Sequence, residues 1–382
     1  MPNSDFDLVI AGASFAGLVC ARIAALRGLR VAVIEKKPDP GARVHTTGIL
    51  VKEAADEWEV PHRLTRKVHG VRLYSPALKS VDLFAPGYYF LATDTAGILR
   101  WLGDEAVRAG ARLFCDTRFE GADYEQGLIR LFGLGWRTRY LVGADGGKSR
   151  VAQSFGLGRN RHFLIGAEAE FDGLGGLDPR FLHCFIDSRL APGYLGWVVP
   201  GVRGAQIGLA ATLARTRRSK LDPKRFEARL ESVFDFSSAR ISERRSGLIP
   251  AGGPVSPISG RQVLLIGDAA GLVSPMTAGG IQLAFHFGRR SAQAIADHLT
   301  AGGPDPGAVM AGEYPRMGVK RMMRAALDAA PPNWLIEKTL FTPPALAFAQ
   351  RVYFHRRAVA GSALALDDLS VPEAGAPKPL RP

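Results

Sequence analysis

A chain of 382 residues with 47% apolar content is longer than one hydrophobic core usually organises, so two lobes are expected. Its 49 Lys and Arg against 36 Asp and Glu leave a formal charge of +13, which suits an anionic lipid surface, a phosphorylated cofactor or plain solubility. No basic block interleaved with aromatics and no zinc-finger, helix-turn-helix or RNA-binding signature accompanies that charge, which argues against nucleic acid as a partner. The three cysteines, Cys20, Cys115 and Cys184, sit in apolar segments as free thiols do, and fit a reducing cytosol. The segment from Met1 to Asp5 lacks a signal-peptide pattern, and no apolar run approaches the ~20 residues of a membrane span. A cytoplasmic protein, at most peripheral to a membrane, is expected.

In chain order, the first elements read as a strand over Leu8 to Ile10, a Gly-rich turn, a helix to about Arg27, a stop at Gly28 and a strand over Val31 to Ile34. From His69 to Phe84 short strands flank a Ser75-Pro76 turn, and a helix follows from about Thr95 to Ala109. Apolar strands around Leu113 and Leu141 precede a β-rich stretch, roughly 160 to 250, with frequent Gly and Pro. A strand over Val263 to Ile266 and a helix from about Gly280 to Leu299 then return to the α/β pattern. The expected fold is α/β: a discontinuous Rossmann-like nucleotide-binding domain (1–67, 88–158 and 245–302) with an inserted, mostly antiparallel β substrate domain (68–87 and 159–244). A helical region over 303–369 and a Pro-rich, disordered tail over 370–382 complete it.

Gly12-Ala13-Ser14-Phe15-Ala16-Gly17 has the spacing of a dinucleotide loop, with Ser14 where a second glycine would let backbone approach pyrophosphate. A strand precedes it and a helix follows. Glu35, 23 residues after Gly12, stands where a carboxylate accepts hydrogen bonds from ribose hydroxyls, and Lys36 follows it. Such a site could hold NAD or FAD. Far along the chain, a buried strand runs into Gly267-Asp268-Ala269-Ala270, and Pro275 and Gly279-Gly280 then open a helix. Its unpaired N–H groups suit an anion such as that of a reduced flavin, which favours FAD.

With Gly143-Ala144-Asp145-Gly146 as a third piece, these motifs resemble the para-hydroxybenzoate hydroxylase-like flavoproteins and, within them, the geranylgeranyl reductase family. The resemblance implies that Glu35 holds the adenosine ribose, Asp268 the ribityl or pyrophosphate region, and Gly280-Ile281 the isoalloxazine ring. It also implies that Asp145-Gly146 serves FAD and the NAD(P)H donor. Tyr194, Trp197 and Pro200, in Gly193-Tyr194-Leu195-Gly196-Trp197-Val198-Val199-Pro200, look like that family's substrate-facing strand. Tyr194 and Trp197 would face one cavity if Gly196 makes a bulge; otherwise they pack a sheet core.

The pattern is not complete. Arg43-Val44-His45-Thr46-Thr47-Gly48 lies where the family often carries a Cys-Gly segment, and of it only Gly48 fits; Thr95 and Gly279 replace the usual Arg and Glu. Arg100 is a candidate substitute for the first. His45 is a candidate proton donor or a polar packing residue. Arg316, Lys320, Arg321, Arg324, Arg351, Arg356 and Arg357 could meet lipid headgroups or form a solvated helix face. No His or Cys spacing suggests a metal. The expectation is an FAD enzyme that takes electrons from NAD(P)H and saturates carbon-carbon double bonds of a hydrophobic isoprenoid. The alternatives are an aromatic monooxygenase or a halogenase of the same superfamily, or a non-catalytic binding module.

Overall fold

The structure, a computed structural model, describes residues 5–216 and 221–354. The expected disordered tail, together with Arg356 and Arg357, lies outside the described residues. Five parallel strands form the centre of the first sheet, in the order Val263–Leu265, Arg137–Gly143, Phe6–Ala11, Val31–Ile34 and Arg112–Phe114. Parallel strands are covered on both faces, which is why they read as unbroken apolar runs; Val9, Val33, Leu141 and Leu264 are fully buried. An antiparallel extension, Ala122–Glu125 and Leu128–Leu131, hangs from Arg137–Gly143.

The first helix, Phe15–Leu26, begins where the Ser14 hydroxyl accepts from Gly17 N–H at 3.3 Å. It packs on the long helix Ile281–Ala301. Contact is close because Gly288 has no side chain there: a Cβ would sit 2.7 Å from the Ala16 carbonyl oxygen. The start of the first helix therefore meets the long helix at Phe285 and Gly288.

The second sheet has seven strands, in the order Arg240–Pro250, Phe163–Asp172, Ala205–Thr212, Gly196–Pro200, Phe181–Phe185, Gly70–Tyr74 and Ser80–Phe84. All its pairings are antiparallel except Phe181–Phe185 with Gly70–Tyr74. Strand Arg240–Pro250 runs without a break across residues 244 and 245, where the sequence suggested a boundary, because it pairs along its length with Phe163–Asp172. A small sheet of Ile49–Val51, Phe90–Thr93 and Thr65–Val68 completes the β structure. Helices Gly318–Asp328, Asn333–Thr339 and Pro343–Phe354 close the described chain.

One row of side chains crosses the seven-stranded sheet. Leu73, Cys184, Trp197, Gly208, Glu168 and Arg245 are directly opposite one another on six successive strands, so they share one face. That face looks toward the parallel sheet.

Candidate active site

A cavity of about 790 Å³ lies between the two sheets. Gly12, Glu35, Ala144 and Gly267 line it, and each stands just past the C-terminal end of a different parallel strand. That is where open α/β sheets leave a crevice for ligands.

The loop at Gly12 is a matter of backbone clearance. Gly12 has φ of +107°, and a Cβ on it would lie 2.4 Å from the Ala144 carbonyl oxygen. Gly17 does not line the cavity; its missing Cβ would lie 2.1 Å from the Gly12 oxygen, so it lets helix and loop touch. Ser14, Phe15 and Ala16 do line it. The Ser14 oxygen is engaged as helix cap, and its proton remains available to a ligand. Glu35 is buried, and its oxygens accept from Ala13 N–H at 2.8 Å and Lys37 N–H at 3.0 Å. The carboxylate thus pins the loop while facing the cavity beside Lys36.

Asp145 is engaged in the same manner. It accepts from the Ser149 hydroxyl at 2.6 Å and from Arg150 and Val151 N–H at 2.6 and 3.1 Å. Burial pushes its pKa up, against the pull of those bonds. It shapes the turn that presents Gly146 to the cavity. Asp268 differs: no side-chain partner meets its carboxylate among the described residues. It opens onto the cavity but is otherwise ringed by protein, and that desolvation pushes its pKa up to about 6. Gly279, Gly280 and Ile281 line the wall beside it, and the helix start at Gly280 has no side-chain cap. Its first N–H groups are left for a ligand. Pro275 is buried in the preceding turn and stands off the cavity.

Across the crevice, two side chains of the loop Arg43 to Gly48 fasten it to the second sheet. His45 Nδ1–H donates to the Ser246 carbonyl at 2.8 Å, since a carbonyl can only accept, which leaves Nε2 as the nitrogen that can take up or release a proton. Thr47 donates to Glu168 Oε2 at 2.5 Å. Gly48, at φ +79°, packs on Thr93 and Thr95; a Cβ would lie 1.9 Å from Thr95 Oγ1. Thr95 is therefore buried under the loop, where a long Arg would have no room. Arg100 does not take over: it binds Asp39 at 2.9 Å and stands off the cavity.

Glu168 and Arg245 were not singled out from sequence. Glu168 is buried, accepts from Trp197 Nε1–H at 2.6 Å, and pairs with Arg245 at 2.5 Å. Trp197 reaches it by lying over Gly208, where a Cβ would be 2.5 Å from the indole. The available signal was a glutamate inside the apolar strand Phe163–Asp172; its partner is 77 residues away and register alone joins them.

Beyond this polar row the wall is apolar. Leu182, Val199, Leu327, Phe348 and Val352 line it, and burial pushes the Cys184 thiol up to about 11, which keeps it neutral. Tyr194 faces the cavity together with Trp197, but without a bulge: the pairing through Gly196 is regular, and Tyr194 lies before the strand. Its hydroxyl donates to the Thr277 carbonyl at 2.6 Å, joining this sheet to the Gly279-Gly280 turn. Pro200 ends the strand opposite Ala205 and does not line the cavity.

Residues 5–305 match the FAD binding domain family. The chain belongs to that family. It is an FAD-dependent oxidoreductase, and the cradle just described accommodates the cofactor: loop glycines without Cβ, the buried carboxylate of Glu35 and an unpartnered Asp268. Digeranylgeranylglycerophospholipid reductase of Methanosarcina acetivorans is 27% identical over 314 residues, covering 78% of this chain and 76% of that one. A geranylgeranyl bacteriochlorophyll reductase-like protein of Thermoplasma acidophilum superposes with a TM-score of 0.78 at 20% identity, over 92% of this chain and 97% of its own. A myxobacterial chondrochloren halogenase reaches 0.69 at 18% identity, over 93% and 91%. At such identities the superpositions establish the fold.

Proposed function

We propose that this flavoenzyme saturates carbon-carbon double bonds of a hydrophobic, isoprenoid substrate, with NAD(P)H as electron donor. The observation that carries the reading is the continuity of the cavity: one space joins the dinucleotide crevice to an apolar compartment walled by the second sheet and the C-terminal helices. A hydrocarbon chain needs such a wall, and the names of the relatives point to the same substrate class.

In this reading Glu35 holds the adenosine ribose, the loop from Gly12 to Ala16 and Ser14 the pyrophosphate, and Asp268 the ribityl hydroxyls. Gly279, Gly280 and Ile281 hold the ring, while Asp145 acts through the turn it fastens at Gly146. FAD, when bound and reduced, supplies a hydride. The chain supplies the rest: Leu182, Val199 and Val352 exclude water from the hydrocarbon, and Trp197 gives it a flat, anchored surface. His45 Nε2 is the group we assign to hold the proton that the second carbon requires.

The test is mass spectrometry of lipid extracts incubated with and without the protein, NADPH and FAD. A gain of two hydrogens per double bond is expected. A gain of oxygen, or peroxide formation coupled to NADPH oxidation, would replace this reading with the monooxygenase of the same superfamily. A colourless protein that takes up no FAD would support a non-catalytic binding module.

A further inference from the structure

The three C-terminal helices present an outer surface unlike the rest of the molecule. Val319, Met322, Trp334, Leu335 and Phe348 are exposed on them, at 68, 69, 63, 37 and 41%. The other exposed large apolar residues, Leu26, Val107, Tyr124, Phe132 and Ile241, are scattered along the remaining chain. Between residues 316 and 354 the exposed charges are Arg316, Lys320, Arg321, Lys338 and Arg351. All are cations. The two acids of this stretch are turned to other work: Asp328 accepts from Thr212 and pairs with His162 and Arg324, and Glu337 accepts from Ala77 N–H and pairs with Lys79.

Helix Gly318–Asp328 shows how the surface is oriented. Its inner side carries Arg324, 2% exposed, which bonds Asp328 at 2.9 Å and the Gly193 carbonyl, and Leu327, which lines the cavity. Its outer side carries Val319 and Met322, three residues apart, with Ala325 and Ala326 following and Lys320 and Arg321 alongside. Arg324 is thus an anchor within the protein, and the lipid-facing role considered for it from sequence falls to its neighbours. On helix Pro343–Phe354, Phe348 is both exposed and part of the cavity wall. One layer of helices separates the apolar compartment from this outer face.

We infer that this face docks on an anionic lipid bilayer, with Val319, Met322, Trp334, Leu335 and Phe348 entering the interface and the five cations meeting headgroups. An apolar stripe flanked by cations is what an interfacial helix requires, and among the described residues no helix is long and apolar enough to cross a membrane. The docked face puts Phe348 at the mouth through which a hydrocarbon passes between bilayer and cavity; this last step rests on the isoprenoid reading, whereas the docking does not.

Flotation of the full-length flavoprotein with phosphatidylcholine vesicles, with and without phosphatidylglycerol, tests the inference. Binding to the anionic vesicles, weakened by salt, is expected, with roughly tenfold or greater loss in the pair M322E and W334E and in the pair K320E and R321E. These four side chains are exposed and line no cavity, so flavin content and melting temperature should stay at wild-type values. Failure to bind anionic vesicles, or equal binding by the variants, would overturn it. So would a dimer that M322E and W334E convert to monomer, which would make the face a subunit contact. Vesicle binding is read without turnover. A protein that floats but reduces no double bond keeps the docking and loses the isoprenoid reading, and one that reduces but does not float does the reverse.

Discussion

The two ends of the cavity are built from different material. At the dinucleotide end the wall is largely main chain: the Gly12 loop passing under Ala144, the turn that Asp145 fastens, and the uncapped helix start at Gly280. At the other end it is side chain: the row from Leu73 to Arg245 on one sheet, faced by Phe348 and Val352 from a helix. Where that main chain packs on main chain, as at Gly12 and Gly17, no added carbon is tolerated, because backbone cannot step aside. Side-chain walls can repack, so substitutions there should act first on what is bound.

The sharpest break of this contrast is a pair of glycine substitutions. Gly17→Val puts carbon within 2.1 Å of the Gly12 oxygen, backbone against backbone, and should cost more than about 3 kcal/mol and abolish flavin uptake. Gly280→Val is crowded by the Val273 side chain at 3.1 Å, while the Leu272 carbonyl oxygen and Asp268 Oδ1 stand at ordinary contact, 3.5 and 3.7 Å. It should fold, yet expel the flavin or lower its reduction potential. Melting curves beside flavin absorbance separate the two, and a G17V protein that melts like wild type would remove the main-chain account of that end.

Trp197→Ala probes the side-chain end. The ring faces the cavity, but its N–H also serves the buried Glu168, so the variant should lose ~3 kcal/mol of stability as well as substrate-driven reoxidation. Trp197→Phe keeps an aromatic face toward the cavity but loses the N–H together with part of the indole surface. It should cost about 1.5 to 3 kcal/mol, the scale of a bond to a charged group, with reoxidation closer to wild type. Were both variants as stable as wild type, the Glu168 network would not hold this wall together.

The same contrast decides what could be read without coordinates. The strands from Leu8 to Ile34, the helices after Ser14 and Gly280, and the positions of Glu35 and Asp268 were legible because each follows from a contiguous motif. The row through Trp197, Gly208, Glu168 and Arg245 was not, because strand register brings it together and register is set by the whole sheet. A bulge at Gly196 is needed only if Tyr194 and Trp197 share one strand; Tyr194 lies in the turn before it, where alternation does not apply. Pro200 and Pro275 belong to the motifs that carry the family resemblance, and each stands off the cavity wall.

Glu35→Gln asks whether a carboxylate can serve wall and ligand at once. The neutral amide keeps a single oxygen for the N–H groups of Ala13 and Lys37, which now meet two different atoms. A loss of about 1 to 3 kcal/mol is expected in FAD affinity, together with a fall in the melting temperature of the apoprotein. Weakened flavin with unchanged apoprotein melting would assign Glu35 to the ligand alone.

The smallest effect expected is the one that isolates charge from packing. Desolvation raises the Asp268 pKa in the folded apoprotein to about 6, above its ordinary 3.8, so between those values the folded state binds more protons than the unfolded one. Stability contributed by this group is therefore greatest at low pH and is lost as pH rises through 6. Asp268→Asn removes the ionisation and should make apoprotein melting less dependent on pH across that window. On the proposed ribityl contact a bound flavin should reverse the preference, because the ionised carboxylate would accept from its hydroxyls: FAD affinity should weaken as pH falls from 7 to 5 in the wild type and stay flatter in D268N. Fluorescence titration of FAD at a series of pH values measures this directly. Identical profiles for the two proteins would mean that Asp268 meets no hydroxyl, and the ribityl contact would have to be sought in the main chain from Gly279 to Ile281.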